Sequence, residues 1–171
     1  TVLANAQPIL ASSREGSLAI AHNGNLTNAA RIRDELVGSG SLFNSSSDSE
    51  TIVHLIARSS AADPEGRIRD ALGQVTGAFS LIILSGRTLY AVVDPHGFRP
   101  LALGRLGRGV VVASETCALD LMGATLEQEL APGDFVRIDD GVITRLAPLP
   151  PERVSRCVFE LVYFARPDSQ V

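Results

Sequence analysis

Cysteine is scarce in this chain: Cys117 and Cys157 are the only two in 171 residues. Two thiols cannot staple a small disulfide scaffold, so the fold must rest on an apolar core. Long apolar runs are missing as well. No stretch approaches the roughly 20 residues a helix needs to cross a bilayer, and no membrane partner is expected. Basic clusters are also missing. With 15 basic and 19 acidic side chains the formal net charge is −4, and nucleic acid is not expected as a partner. Thr1 to Pro8 carry neither a basic n-region nor an apolar h-region, so they are not a secretory signal. The cytoplasm is the default location. No internal repeat or low-complexity segment interrupts the chain.

What is present suits one domain with a real core: 45% apolar and 20% charged residues. Residues 1–13 read as mixed and extended, with Pro8 keeping Gln7 out of the helical region. Leu18 to Ala21 reads as a short buried strand. Asn28 to Ser39 reads as a helix with Ala29, Ile32, Leu36 and Val37 on one face, capped by Thr27 or Asn28. Ser47 and Glu50 form a capping-box pattern ahead of Ile52, Val53, Leu55 and Ile56. A third helix spans about Glu65 to Val75 after Asp63-Pro64. Hairpins are predicted around Ser85-Gly86-Arg87, Gly107-Arg108 and Asp139-Asp140-Gly141, with a short helix from Cys117 to Met122. Leu149-Pro150-Pro151 reads as a linker. Hairpin-joined strands that outnumber helices give a predominantly antiparallel α+β domain.

The stretch around which the rest is organised is His22-Asn23-Gly24-Asn25-Leu26-Thr27-Asn28. It follows a short apolar run and precedes a helical pattern, so a strand is expected to end there in a polar turn. Asn23 offers an amide NH₂ and Gly24 an unshielded backbone N–H. Two converging neutral donors would make an oxyanion hole, whereas a plain Asn-Gly turn would make a hairpin. Asp48 sits at a helix N-terminus, which suits a carboxylate on dipole grounds alone; it could equally hold a substrate ammonium. His96, in Asp94-Pro95-His96-Gly97-Phe98-Arg99-Pro100-Leu101, is either a general base or a brace for its turn. Arg99 reads as a partner in a structural ion pair. Cys117, amid Ala and Leu, reads as a small core residue. Thr1 could serve as an N-terminal nucleophile with its own amine as base.

The heptad HNGNLTN resembles the signature loop of class II glutamine amidotransferase domains, and most closely the amidophosphoribosyltransferase family. Asn5-Ala6-Gln7-Pro8, Ser47-Asp48-Ser49-Glu50, the Asp-Pro-His-Gly-x-Arg-Pro-Leu segment and Cys157-Val158-Phe159-Glu160-Leu161-Val162-Tyr163-Phe164-Ala165-Arg166-Pro167-Asp168-Ser169 resemble further motifs of that family. The resemblance implies a four-layer αββα sandwich of the N-terminal-nucleophile hydrolase type. It implies an amidotransferase domain over 1–150 and a crossing segment over 151–171 into a phosphoribosyltransferase domain. Asn23 and Gly24 would form the oxyanion hole, and Asp48 would bind the glutamine α-ammonium. The nucleophilic cysteine, and the Arg and Thr that hold glutamine, would lie before Thr1, leaving this chain alone inactive. In that family the nucleophile's own amine is the base, so His96 becomes a brace. Glutamine and phosphoribosyl pyrophosphate are the implied partners, with magnesium in the second domain and a homo-oligomer, a tetramer in the family. Cys157 lies where some members ligate a 4Fe–4S cluster and others do not. Two alternatives stay open: an amidotransferase of the glucosamine-6-phosphate synthase or asparagine synthetase type, and a non-enzymatic regulatory or binding module on the same fold.

Overall fold

A computed structural model describes residues 3–13, 16–155, 158 and 169. A 3₁₀ turn, Leu3–Asn5, leads into the hairpin β1 (Ile9–Ser13) and β2 (Gly16–Leu26). Three helices follow: α1 (Ala29–Gly38), α2 (Ser49–Arg58) and α3 (Pro64–Leu72). Then come β3 (Gly77–Ser85), β4 (Thr88–Val93), β5 (Ala102–Leu106), β6 (Gly109–Ala113), α4 (Thr116–Met122), β7 (Thr125–Glu129), β8 (Phe135–Asp139) and β9 (Val142–Arg145). They form a six-stranded sheet, β1-β2-β3-β4-β8-β9, and a three-stranded sheet, β6-β5-β7, with every described pairing antiparallel.

Three cores separate four layers. Ile32, Leu36, Ile52, Leu55 and Ile68 of the helices pack on Ile20, Leu81, Ile83, Val92 and Phe135 of the large sheet. The alternate residues of that sheet, Ala91, Val93, Val136 and Ile138, face Leu101, Leu103 and Leu130 beside the small sheet. Ala102 and Leu119 then join the small sheet to α4. The order is helices, sheet, sheet, helix: the expected αββα sandwich, within an α+β fold.

Local chemistry explains most boundaries. The Asp63 side chain caps α3 by accepting the Gly66 N–H at 2.8 Å, with Pro64 in the first turn. Asp140 and Gly141 both take positive φ, as a two-residue hairpin requires. Several expectations need correction. Asn28 caps α1 in position only: its carboxamide donates to Gln74 O and accepts from Thr76 N–H, both at 2.9 Å, tying the helix start to the chain before β3. Val37 is 53% exposed, because α1 buries the Ile32–Leu36 stripe and leaves its last turn outside. Leu149 is no free linker residue. It is buried in the main core, and its N–H donates to Gly133 O at 2.9 Å. β7, Thr-Leu-Glu-Gln-Glu, was not expected; its polar, exposed sequence carries no strand pattern, and pairing with β5 defines it.

Candidate active site

β2 pairs with β3 without interruption from Leu18↔Ser85 to Leu26↔Gly77. His22-Asn23-Gly24-Asn25 is therefore strand, and the chain turns only at Thr27-Asn28. Cross-strand partners outweigh the local turn preference of Asn-Gly. Gly24 holds φ +153, and a Cβ there would lie 2.1 Å from Ala78 O and 2.8 Å from His22 Nε2. Glycine is required because β3 presses on this Cα, and a hairpin has no part in it.

The outer edge of this strand is built from side chains. β1 leaves β2 after Ile9↔Ile20. Beyond that point Gln7 acts as a strand substitute. Its Nε2 donates to His22 O at 2.9 Å, and its Oε1 accepts the His22 N–H. Two pairs further on, the Leu26 N–H donates to Asp48 Oδ2 at 2.8 Å. In an antiparallel strand alternate residues direct their N–H to one edge, so the Gly24 N–H lies between these two on the same edge. The opposite edge agrees. Phe79, across from Gly24, has both backbone groups on Asp94: the Asp94 N–H donates to Phe79 O at 2.8 Å, and the Phe79 N–H donates to Asp94 Oδ2 at 3.2 Å. Asn23, next in the chain, is half-buried, and its carboxamide has no hydrogen bond among the described residues.

Asp48 is the N-cap of α2, one residue later than the capping-box pattern implied, and its side chain makes no cap hydrogen bond. Glu50 does not return to Ser47. Its carboxylate, buried, accepts the Asn44 and Ser45 N–H groups at 2.8 Å each and the Ser45 hydroxyl at 2.6 Å. The loop before Asp48 is thus folded around Glu50. Asn5 pins the same loop: its Nδ2 donates to Ser46 Oγ at 2.8 Å, and its Oδ1 accepts the Ser46 N–H at 3.0 Å. Burial works to raise the Asp48 pKa. The adjacent His22 ring and the Leu26 N–H outweigh it, and the carboxyl is held below its ordinary value. The structure therefore brings Asp48 to the strand end that carries Asn23 and Gly24.

The other expected residues fall elsewhere. His96 Nδ1 lies 2.8 Å from Arg153 O, and the Ser155 N–H donates to His96 O at 2.9 Å, so this histidine braces its turn and the segment after Leu149. Cys117 is buried in α4, beyond the small sheet. Cys157 lies outside the described residues. Among the described residues no group of three or more His, Cys, Asp or Glu could hold a metal ion. Sequence reasoning missed the linking roles of Asn5 and Gln7. The Asn5-Ala6-Gln7-Pro8 motif was the visible signal, but a carboxamide standing in for backbone is not legible as such.

This edge, with a carboxylate two residues from an open N–H, sits in a chain that matches the family described as glutamine amidotransferase domain over residues 1–121. The chain belongs to that family. The amidotransferase domain is 46% identical to amidophosphoribosyltransferase 2, chloroplastic, of Arabidopsis thaliana, over 100% of this chain and 31% of the relative. It is 42% identical to the amidophosphoribosyltransferase of Bacillus subtilis, over 98% of this chain and 35% of the relative. A solved B. subtilis glutamine phosphoribosylpyrophosphate amidotransferase, complexed with ADP and GMP, superposes with a TM-score of 0.92 at 41% identity, covering 98% of this chain and 37% of that one. The domain thus spans about a third of the length of the relatives it matches. No helix among its described residues is long and apolar enough to cross a membrane.

Proposed function

We propose that this domain is the glutamine-hydrolysing part of an amidophosphoribosyltransferase of purine biosynthesis. The observation that carries the reading is the edge of β2, where the Gly24 N–H is flanked by Gln7 on His22 and by Asp48 on Leu26. A thiolate attacks the glutamine side-chain amide carbon, and the carbonyl electrons move onto oxygen. The Gly24 N–H and the Asn23 carboxamide donate to that oxyanion. Collapse breaks the C–N bond, the departing nitrogen takes a proton and leaves as ammonia, and a thioester remains. Water then hydrolyses the thioester to glutamate. Asp48, kept ionised, pairs with the substrate α-ammonium and fixes the amide over the donors. The nucleophile this reading needs is a thiol outside the residues that build this edge; Cys117 lies two layers away.

In the same proposal ammonia passes to a phosphoribosyltransferase domain beyond 151–171. There it displaces pyrophosphate from phosphoribosyl pyrophosphate, with magnesium, to give 5-phosphoribosylamine. The full-length protein is a cytoplasmic homo-oligomer. A 4Fe–4S cluster needs four thiolates; the chain's two cysteines fall short, and Cys157 could be at most one ligand beside others supplied from outside it.

Glutaminase assays of the full-length protein test the site. Asn23→Ala should lower kcat by roughly 10²–10³ with a modest change in KM. Asp48→Ala should chiefly raise KM for glutamine. Wild-type behaviour in both variants would make the two segments scaffold.

A further inference from the structure

His22 is a buried polar side chain that the mechanism above does not use. Burying an imidazole is costly unless its nitrogens are bonded, and here they face the first residue of α2 and the β3 backbone. Nδ1 lies 3.0 Å from Ser49 Oγ, at the first residue of α2. Nε2 lies 3.4 Å from the backbone oxygen of Ala78. Asp48 Oδ1 is 3.7 Å from Nδ1 and 3.4 Å from Ser49 Oγ. Ser49 is itself 1% exposed and receives the Ser47 hydroxyl at 3.1 Å. The ring therefore fills the gap between the strand that carries Gly24 and the helix end that carries Asp48.

We propose that His22, through Ser49, is a positioning residue for glutamine binding: the pair fixes the Asp48 carboxylate against the β2 edge, so that it meets the substrate ammonium in one orientation. This rests on the assignment of Asp48 above. With Oδ2 held by the Leu26 N–H and Oδ1 backed by Ser49 and the imidazole, the carboxylate has little rotamer freedom left to lose on binding. His22 reaches no reacting atom in this arrangement. Nδ1 is turned to α2, and Nε2 to the β3 carbonyl.

Steady-state glutaminase kinetics of the full-length protein test it. His22→Ala and Ser49→Ala should each raise the glutamine KM about tenfold with kcat within about threefold of wild type. Together they should cost little more than either alone, as expected of groups acting through one relay. His22→Asn, whose carboxamide can still meet the Ser49 hydroxyl, should recover most of the KM. Glutaramate, which lacks the α-ammonium, should be hydrolysed equally by wild type and the His22→Ala variant. Melting temperatures identify a variant that fails to fold, and Ser49→Ala, the loss of one oxygen, then carries the comparison. An unchanged KM in both single variants overturns the proposal. So does a fall in kcat at constant KM, or an equal loss on glutaramate, because either would place His22 at the reacting amide or in the general fold. If Asp48→Ala leaves the glutamine KM unchanged, the ammonium assignment fails first. If Asp48→Ala raises KM while His22→Ala and Ser49→Ala do not, the relay alone fails.

Discussion

A handful of residues carry more than one duty, and the substitutions that expose this are small. Gly24 directs its N–H to the β2 edge while its Cα sits under Ala78. Gly24→Ala places a methyl group 2.1 Å from a backbone oxygen, at a φ that side chains rarely adopt. A loss of roughly 1–3 kcal/mol or more in stability is expected, together with loss of glutaminase activity; a thermal melt beside an assay reads both. Asp94 is a second such residue. It is fully buried, and its carboxylate accepts N–H groups from Phe79, His96, Gly97 and Phe98. Asp94→Asn turns a donor toward a cluster of donors and should cost roughly 1–3 kcal/mol by urea unfolding; an unchanged midpoint would show that the turn stands without it. The chemistry of these positions was partly legible. Asn23, Gly24 and Asp48 stand out by residue type and by family motif. That Gly24 is a crowded strand position needed β3, which is some fifty residues away in the chain and invisible to local pattern.

The decisive element is the loop from Asn44 to Asp48, set by the helix that follows it. Glu50 in the first turn of α2 lies under the N–H groups of Asn44 and Ser45. Burial acts to raise its pKa, but those donors, the Ser45 hydroxyl and nearby His54 lower it below the ordinary 4.5. A carboxylate with a depressed folded pKa contributes stability that is complete above 4.5 and is lost as pH falls through the lower, folded value. Glu50→Gln should flatten that acid limb, lower Tm at neutral pH and raise the glutamine KM by loosening Asp48. Thermal melts from pH 3 to 7 would check the first two, and an acid limb identical to wild type would exclude Glu50 as its source. The Ser47–Glu50 spacing announced a helix start, and α2 begins within one residue of it. The partners of Glu50 were misread because the backbone folds back far enough to present Asn44 and Ser45 instead of Ser47.

At the scale of the molecule the two sheets are unequal. β3 and β4 lie inside six strands with apolar layers on both faces, whereas β7 edges a three-stranded sheet and is mostly exposed. Amide hydrogen exchange should be slowest in β3 and β4 and fastest in β7; equal protection would mean that the sheets open as one unit. Leu103, fully buried between the sheets, should cost about 2–5 kcal/mol on replacement by Ala. The hairpins β3–β4, β5–β6 and β8–β9 were readable from alternation and turn residues. How they assort into two sheets was not, because Leu101–Leu106 and Phe135–Ile138 are equally apolar and only long-range pairing separates them. The chain also contains no lysine, so its permanently cationic side chains are all guanidinium groups. Pairs such as Arg105–Glu127, Arg137–Glu65 and Arg145–Asp134 therefore brace the surface with planar, multi-donor contacts.

The placement of Asn23-Gly24 inside a paired strand also bears on how the protein ages. In a loose chain an Asn-Gly dipeptide deamidates readily: the glycine nitrogen closes on the side-chain carbonyl, ammonia is lost, and the cyclic imide reopens as aspartate or isoaspartate. Closure needs the backbone to swing away from the extended form that Ser80 and Phe79 impose from across the ladder. On the proposed mechanism the folded domain thus protects the amide it depends on. Each excursion to the unfolded state puts that amide at risk, and the damage replaces a neutral donor with a negative charge where the proposed oxyanion is held. Activity lost in heated or long-stored protein should then track isoaspartate at position 23, and refolding should not restore it.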